Sequence, residues 1–240
     1  GLVLNVGPVH LEGLGSIEGV AEEKSALAAS LPSFGTLFLP INLPKKETFI
    51  RKARCKITLF GPGTGIWIRN WEREPDGIRV EVVPFGPLKV PGCGKQHLNS
   101  ILAACAVAKN FGLGSEELQE GFSRFRAVDL RWQVKKVGDL HVILDCYNAN
   151  PLSMEGALRE LLDIAKAERI VAVLGDMREL GDMSKEYHRR LGELLCRINP
   201  RKVILIGEAV QETYKVLRSE GNAESVEIVQ DKEAAVQALN

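Results

Sequence analysis

The stretch Asp145-Cys146-Tyr147-Asn148-Ala149-Asn150-Pro151 follows the apolar run Leu140 to Leu144 and opens a helix pattern that begins near Leu152. A strand that hands short polar side chains to the start of a helix is where open α/β sheets hold ligands, because the carboxyl ends of the strands form the mouth of the crevice. The first helical turn adds N–H groups with no intrahelical partner. A plain turn would use the same residue types, since Asn and Pro are ordinary turn and N1 residues and Asp often caps. Two Asn in three positions, wedged between a buried-looking strand and a Pro, favour a ligand-bearing turn.

From this turn onward the pattern is a regular alternation. Strand patterns at Leu140 to Leu144, Ile170 to Leu174, Lys202 to Ile206 and Val226 to Val229 are separated by helix patterns at 152 to 167, 184 to 197, 208 to 219 and 231 onward. That alternation predicts an α/β fold with a Rossmann-like parallel sheet and crossover helices. Its second strand runs into Leu174-Gly175-Asp176-Met177-Arg178-Glu179-Leu180-Gly181, a second acid-bearing loop at the same sheet edge as Asp145. A dehydrogenase-type Gly-x-Gly-x-x-Gly is absent from these turns, which argues against a dinucleotide site.

Upstream the pattern differs. Gly1 to Asn5 is a strand already under way, and the Gly-rich loop Asn5 to Ser16 carries His10 and Glu12. Ser16 is placed to cap a helix running to about Leu31, stopped by Pro32. Ile17, Val20, Ala21, Leu27, Ala28 and Leu31 define its apolar face, and Lys24 falls in the middle of it. A lysine on a buried stripe must find a counter-charge, lose its proton or snorkel to water. Strands follow at Gly35 to Pro40 and Ile57 to Phe60, with an amphipathic segment, Lys45 to Lys56, between them. A strand through Trp67 and Trp71 and another at Ile78 to Val83, joined by Glu74-Pro75-Asp76-Gly77, form an antiparallel pair. Gly61-Pro62-Gly63-Thr64-Gly65 and Gly92-Cys93-Gly94-Lys95 both lack the Lys-Ser or Lys-Thr of a phosphate loop and read as turns. Leu98 to Phe111 is apolar nearly all round, a buried helix ended by Gly112, and Ser115 is placed to cap the next. His97 and Asn99 sit at the buried helix's entrance, where a base, a ribose or simple capping would use them equally well. The segment Arg126 to Val134 is the expected junction, giving domains at 1–127 (helices plus antiparallel strands) and 128–240 (parallel sheet).

With 31 basic and 31 acidic residues among 240, and no long run of either sign, nothing points to a nucleic-acid or membrane surface. No apolar run approaches a bilayer span, so the cytoplasm is the default expectation. The five cysteines are widely spaced without a Cys-x-x-Cys and read as reduced thiols. The chain starts inside a strand pattern without Met and stops inside a helix pattern, so a fragment of a longer protein is expected.

Three groups of residues together resemble the Mur ligase family: Tyr147-Asn148-Ala149-Asn150-Pro151 with Ser153-Met154; Leu174-Gly175-Asp176-Met177 with Glu179-Leu180-Gly181; and the Asn5 to Ser16 loop with Lys24 eight residues later. The resemblance spans nearly the whole chain and is closest to the branch that joins D-alanyl-D-alanine to UDP-N-acetylmuramoyl-tripeptide. It implies the latter part of an ATP-binding central domain followed by most of the C-terminal domain, with the uridine-nucleotide domain and the phosphate loop upstream of Gly1. It implies ATP and magnesium as cofactors, a monomer, and activation of a carboxylate to an acyl phosphate that the dipeptide amine attacks. By the same resemblance His10 is a magnesium ligand and Lys24 is N-carboxylated, its new carboxylate serving the metal and phosphate region. Arg131 meets the γ-phosphate, Asn99, Asp145 and Asn148 hold the nucleotide, and Asn150 and Asp176 lie on the amine-substrate side. The sequence departs from the family pattern at Gly94-Lys95-Gln96-His97-Leu98-Asn99, where the usual Gly-x-His-Asn is displaced, and at Leu144, where a second acid is common. The alternatives are another ligase of the superfamily, of folylpolyglutamate or cyanophycin type, against which the Tyr147 to Pro151 turn argues, and a binding module that has lost its chemistry.

Overall fold

The computed structural model describes residues 1–74, 76–126, 128–220 and 225–239. Pro75 of the expected turn and Ala127 at the expected junction lie outside them. Two compact units emerge, one formed by Gly1–Gly7 with Ser16–Tyr147, the other by Pro8–Gly15 with Asn148–Asn240.

In the first unit, β1 (Thr36–Pro40) and β2 (Lys56–Phe60) pair in parallel, with α4 (Lys46–Lys52) between them in the chain. The opening residues lie alongside β1, through the Leu2 to Phe38 bridge and the Val3 amide donating to the Phe38 carbonyl at 3.1 Å. The antiparallel pair expected around Trp71 and Val80 is β3 (Trp67–Glu74) and β4 (Gly77–Val83), and β5 (Gly86–Pro91) extends it to three strands. Strict alternation on β4 sends Ile78, Val80 and Val82 inward. They pack in one core with Phe38, Phe60, Leu88 and α5 (Leu98–Asn110), which buries Ile101, Leu102, Ala103, Cys105 and Ala106. Enclosure in this core pushes the Cys93 and Cys105 thiols up to about 11 and about 12, so both remain protonated.

Three local expectations need correction. The helix after Ser16 is broken into α2 (Ile17–Lys24) and α3 (Ala26–Ser30), because the buried Ser25 hydroxyl donates back to the Glu22 carbonyl at 2.6 Å. The cap of α6 (Ser115–Ser123) is Gly114, whose amide donates to Glu117 Oε2 at 3.0 Å. Ser115 is its first helical residue, and its hydroxyl donates to the Phe85 carbonyl. Finally, Leu140–Leu144 (β7) joins no parallel ladder among the described residues. It pairs antiparallel with β6 (Gln133–Val137), since only Gly138 and Asp139 separate the strands and Gly138 takes φ +58°, the left-handed conformation a two-residue hairpin turn needs.

In the second unit, β8 (Val171–Gly175), β9 (Lys202–Ile206) and β10 (Val226–Val229) form a parallel sheet in the order β10-β9-β8. The central strand is fully enclosed at Val203, Ile204 and Leu205, the near-continuous apolar run of a strand covered on both faces. Around it are α7 (Pro151–Ile164), α8 (Ser184–Ile198), α9 (Gln211–Ser219) and α10 (Lys232–Ala238), with the short α1 (Leu11–Leu14) contributed by the Pro8–Gly15 segment. On α8 the charges Glu186, Arg189, Arg190 and Glu193 pair with one another at the surface while Leu191 and Leu195 point inward.

α8 and α9 approach closely at Gly192, where an added Cβ would sit 2.7 Å from Val216 Cβ and 2.9 Å from the Thr213 carbonyl. Gly192→Val is therefore expected to destabilise the second unit by about 1–3 kcal/mol through overpacking. Urea denaturation followed by far-UV circular dichroism checks this, with Arg190→Ala on the exposed face as the near-neutral control.

Candidate functional site

In the first unit, Lys24 and Asn99 come from different helices to neighbouring peptide groups of the opening segment. Lys24 Nζ donates to the Asn5 carbonyl at 3.1 Å, and Asn99 Nδ2 donates to the Leu4 carbonyl at 2.8 Å. No carboxylate pairs with Lys24 among the described residues, and partial burial lowers its pKa below the ordinary lysine value. This is the lysine anticipated on the apolar face of α2, held by one carbonyl. At the far end of the α5 entrance, His97 Nδ1 accepts from the Gly94 amide at 3.1 Å, so the displaced histidine closes its own turn.

A second constellation in this unit surrounds Arg131. Its flanking residues Leu130 and Trp132 both hold left-handed backbone, φ +60° and +51°, a conformation that bulky side chains adopt only when the surroundings enforce it. Two hydrogen bonds do so: the Tyr147 amide donates to the Leu130 carbonyl and the Trp132 amide donates to Asp145 Oδ1, both at 3.2 Å. The Arg131 guanidinium then lies 4.2 Å from the centre of the Tyr147 ring, a cation–π contact that holds a planar fork of donors in one orientation. Asp145 and Arg131, expected at one site from the sequence, are thus joined through the strand β6–β7 hairpin.

In the second unit, Asn150 is the N-cap of α7. Its Oδ1 accepts from the Ser153 amide at 3.0 Å, Ser153 Oγ accepts from the Asn150 amide at 3.1 Å, and Pro151 stands at N1. The plain turn weighed from the sequence thus holds in part, with Asn150 as the cap in place of an Asp, and capping uses only one end of its amide. Asn148 is exposed, with Oδ1 accepting from the Ala149 amide at 2.9 Å. Asp176, at the carboxyl end of β8, directs both oxygens at the loop after β9, accepting from the Val210 amide at 2.9 Å and the Glu208 amide at 3.0 Å. Gly207 makes that approach feasible: at φ +124° it has no side chain, and a Cβ there would lie 2.4 Å from Asp176 Oδ2.

The loop that leaves β8 through Asp176 also carries Glu179, whose carboxylate pairs with His10 Nδ1. Glu179 also accepts, through its carbonyl, from the Glu12 amide at 3.1 Å. Both members of the pair hold left-handed backbone, His10 at φ +53° and Glu179 at φ +60°. An imidazole whose Nδ1–H is fixed by a carboxylate presents Nε2 as a lone-pair donor, the arrangement of metal-binding histidines. Among the described residues no three metal-ligating side chains converge. Glu179 is a site residue that sequence reasoning had only as part of a motif; its chemistry became visible when it met His10.

Comparison with known proteins gives the following. The description "Mur ligase middle domain" matches residues 1–108, and "Mur ligase, glutamate ligase domain" matches residues 130–240. The UDP-N-acetylmuramoyl-tripeptide--D-alanyl-D-alanine ligase of Bacillus subtilis is 28% identical over 206 residues, covering 84% of this chain and 44% of that protein. The chain thus spans less than half the length of this curated relative. A crystal structure of MurF from Acinetobacter baumannii superposes with a TM-score of 0.88 at 25% identity, covering 99% of this chain and 52% of that one. MurF of Thermotoga maritima in complex with ADP shares the fold, with a TM-score of 0.79 at 23% identity over 99% of this chain and 54% of that one. Among the described residues no helix is long and apolar enough to cross a membrane.

The environment of Lys24 makes a pH prediction. Its folded-state pKa lies below its unfolded one, so between the two values the unfolded chain binds more protons and stability rises with pH. Lys24→Met is expected to be more stable than wild type at neutral pH, with the difference shrinking as pH climbs toward the ordinary lysine value. Urea midpoints of both proteins in bicarbonate-free buffer from pH 7 upward test this; parallel pH profiles would refute it.

Proposed function

Because this chain belongs to the Mur ligase family, we propose that it is part of an ATP-dependent ligase that joins D-alanyl-D-alanine to UDP-N-acetylmuramoyl-tripeptide for peptidoglycan precursor synthesis. ATP transfers its γ-phosphoryl group to the acceptor carboxylate, giving an acyl phosphate and ADP. The dipeptide amine then attacks the acyl carbon, phosphate leaves, and an amide forms. The ADP complex of the Thermotoga maritima relative supports the nucleotide assignment.

The observation that carries this reading is Lys24: a partly buried amine shifted toward its neutral form and held by the carbonyl of Asn5, the residue after the Leu4 whose carbonyl Asn99 holds. Carbamate formation from carbon dioxide needs the neutral amine, and the product converts an ill-solvated cation into a carboxylate suited to a metal and phosphate region. His10, with its ring oriented by Glu179, would be a magnesium ligand, and that ion would neutralise charge on the transferring phosphoryl group. Arg131, oriented by Tyr147, supplies a charged donor fork to the γ-phosphate. Asn99, Asp145 and Asn148 hold the nucleotide. Asn148 keeps its Nδ2 for this, and the free oxygen of Asp145 is a ribose acceptor. On the amine side, Asn150 offers the Nδ2 that capping leaves over, and Asp176 shapes the loop that lines that side.

The family domain boundary is set at 127/128, with 1–127 the remainder of the central ATP-binding domain; the compact units instead divide after Tyr147. The protein is a cytoplasmic monomer that uses neither nucleic acid nor membrane, consistent with its balanced charge. This segment contains no phosphate-loop motif, so turnover requires the longer polypeptide.

Two outcomes are expected. Carbon-13 NMR in labelled bicarbonate shows a lysine carbamate resonance that grows as pH rises from 6 to 8.5 and is missing from Lys24→Arg; an identical spectrum in the variant removes the assignment. In the full-length ligase, Arg131→Ala lowers acyl-phosphate formation, trapped with hydroxylamine, by ~100-fold or more, the cost of losing a donor aimed at developing charge. Unchanged trapping would take Arg131 out of the phosphate site.

A further inference from the structure

One imidazole is completely enclosed and plays no part in the ligation chemistry above: His188, on α8, has no solvent exposure. Its ring is fully bonded. The Met177 amide donates to Nε2 at 3.1 Å, and Nδ1–H donates to the Ser184 carbonyl at 2.8 Å one turn earlier on the same helix. An amide can donate only to an unprotonated nitrogen, so the ring carries its hydrogen on Nδ1. The His188 carbonyl in turn accepts from the buried Thr213 hydroxyl of α9 at 2.7 Å. A leucine would fill such a position without needing any of these partners, and a buried polar ring is tolerated only because every one of them is in place.

We propose that His188 is a positioning residue: by fixing the Met177 peptide to α8 it holds Glu179, two residues on, against His10. This rests on the ligase reading of His10 given above. The loop leaves β8 with Asp176 bonded to the amides of Glu208 and Val210, and the next residue, Met177, is tied to His188. Leu180, beyond Glu179, is buried at 2% exposure. Glu179 itself is exposed and holds φ +60°, a strained conformation that persists only where the flanking chain is over-determined. Of these hydrogen bonds, the one to His188 ties the loop to α8. Without it the Met177 amide is buried and unpaired, and the loop relaxes to satisfy it, carrying the Glu179 carboxylate away from Nδ1 of His10.

The test compares His188→Leu, which keeps the volume and removes the acceptor, with His188→Gln, which retains an amide oxygen as acceptor and an N–H donor. In the nitrogen-15-labelled chain, the wild-type Met177 amide exchanges as slowly as those of β8, and long-range proton–nitrogen spectra show His10 with its hydrogen on Nδ1. His188→Leu speeds Met177 exchange by at least ~10-fold and abolishes the His10 tautomer preference, and His188→Gln restores both. In the full-length ligase, His188→Leu raises the magnesium concentration for half-maximal rate by ~10-fold or more, as loss of outer-shell support does, while His188→Gln remains near wild type. His10 signals and Met177 exchange unchanged in a folded His188→Leu overturn the proposal. Should that variant fail to fold, wild-type exchange decides: a Met177 amide as fast as that of exposed Arg178 overturns it. A His10 response with no change in magnesium dependence upholds the positioning role and instead removes His10 from the metal site.

Discussion

The contact between His10 and Glu179 joins residues 169 positions apart and is the constraint around which the second unit's site is built. Neither residue has the freedom of glycine, yet both hold left-handed backbone. The surrounding hydrogen bonds explain why that conformation survives: the Glu12 amide on the Glu179 carbonyl, the two amides on Asp176 and the imidazole on the Met177 amide. Strain of this kind is found where a side chain must be presented in an orientation that relaxed backbone would not give. The Arg131 segment follows the same logic in the first unit, with two left-handed residues pinned by Tyr147 and Asp145 so that a guanidinium rests on an aromatic face.

Lys24 shows the opposite form of preorganisation. It is desolvated rather than clamped, and the single carbonyl that receives it does not compensate for the loss of water. Such a group weakens the fold in its charged state.

Much of this was legible from the amino-acid order. The alternation after residue 150 specified the parallel sheet because buried parallel strands are short apolar runs and crossover helices need a dozen residues. The periodic face of α2 singled out Lys24, and the polar turn after Leu144 singled out Asp145 to Pro151. What escaped was decided by partners distant in sequence. Leu140 to Leu144 reads as a buried parallel strand, but the two-residue turn before it commits it to an antiparallel hairpin. Asp176 reads as a free acid until Gly207 is seen to open room for it among backbone amides. His188 lies on a helix whose surface is crowded with Arg and Glu, and nothing local marks it as the one polar residue turned inward. The cap at Gly114 escaped for a smaller reason: serine is the stronger capping type, and the Phe85 carbonyl recruited its hydroxyl instead.

The segment Pro8–Gly15 belongs with the second unit although residues on both sides of it belong with the first. No single cut between residues 1 and 240 therefore separates the two units: the one that carries the Glu179 loop includes a strip of chain encoded more than a hundred codons earlier. Exchange of C-terminal halves between related genes would transplant one side of that contact and leave the other behind. Viable chimaeras should accordingly be those in which the donor and recipient agree at residues 10 to 12.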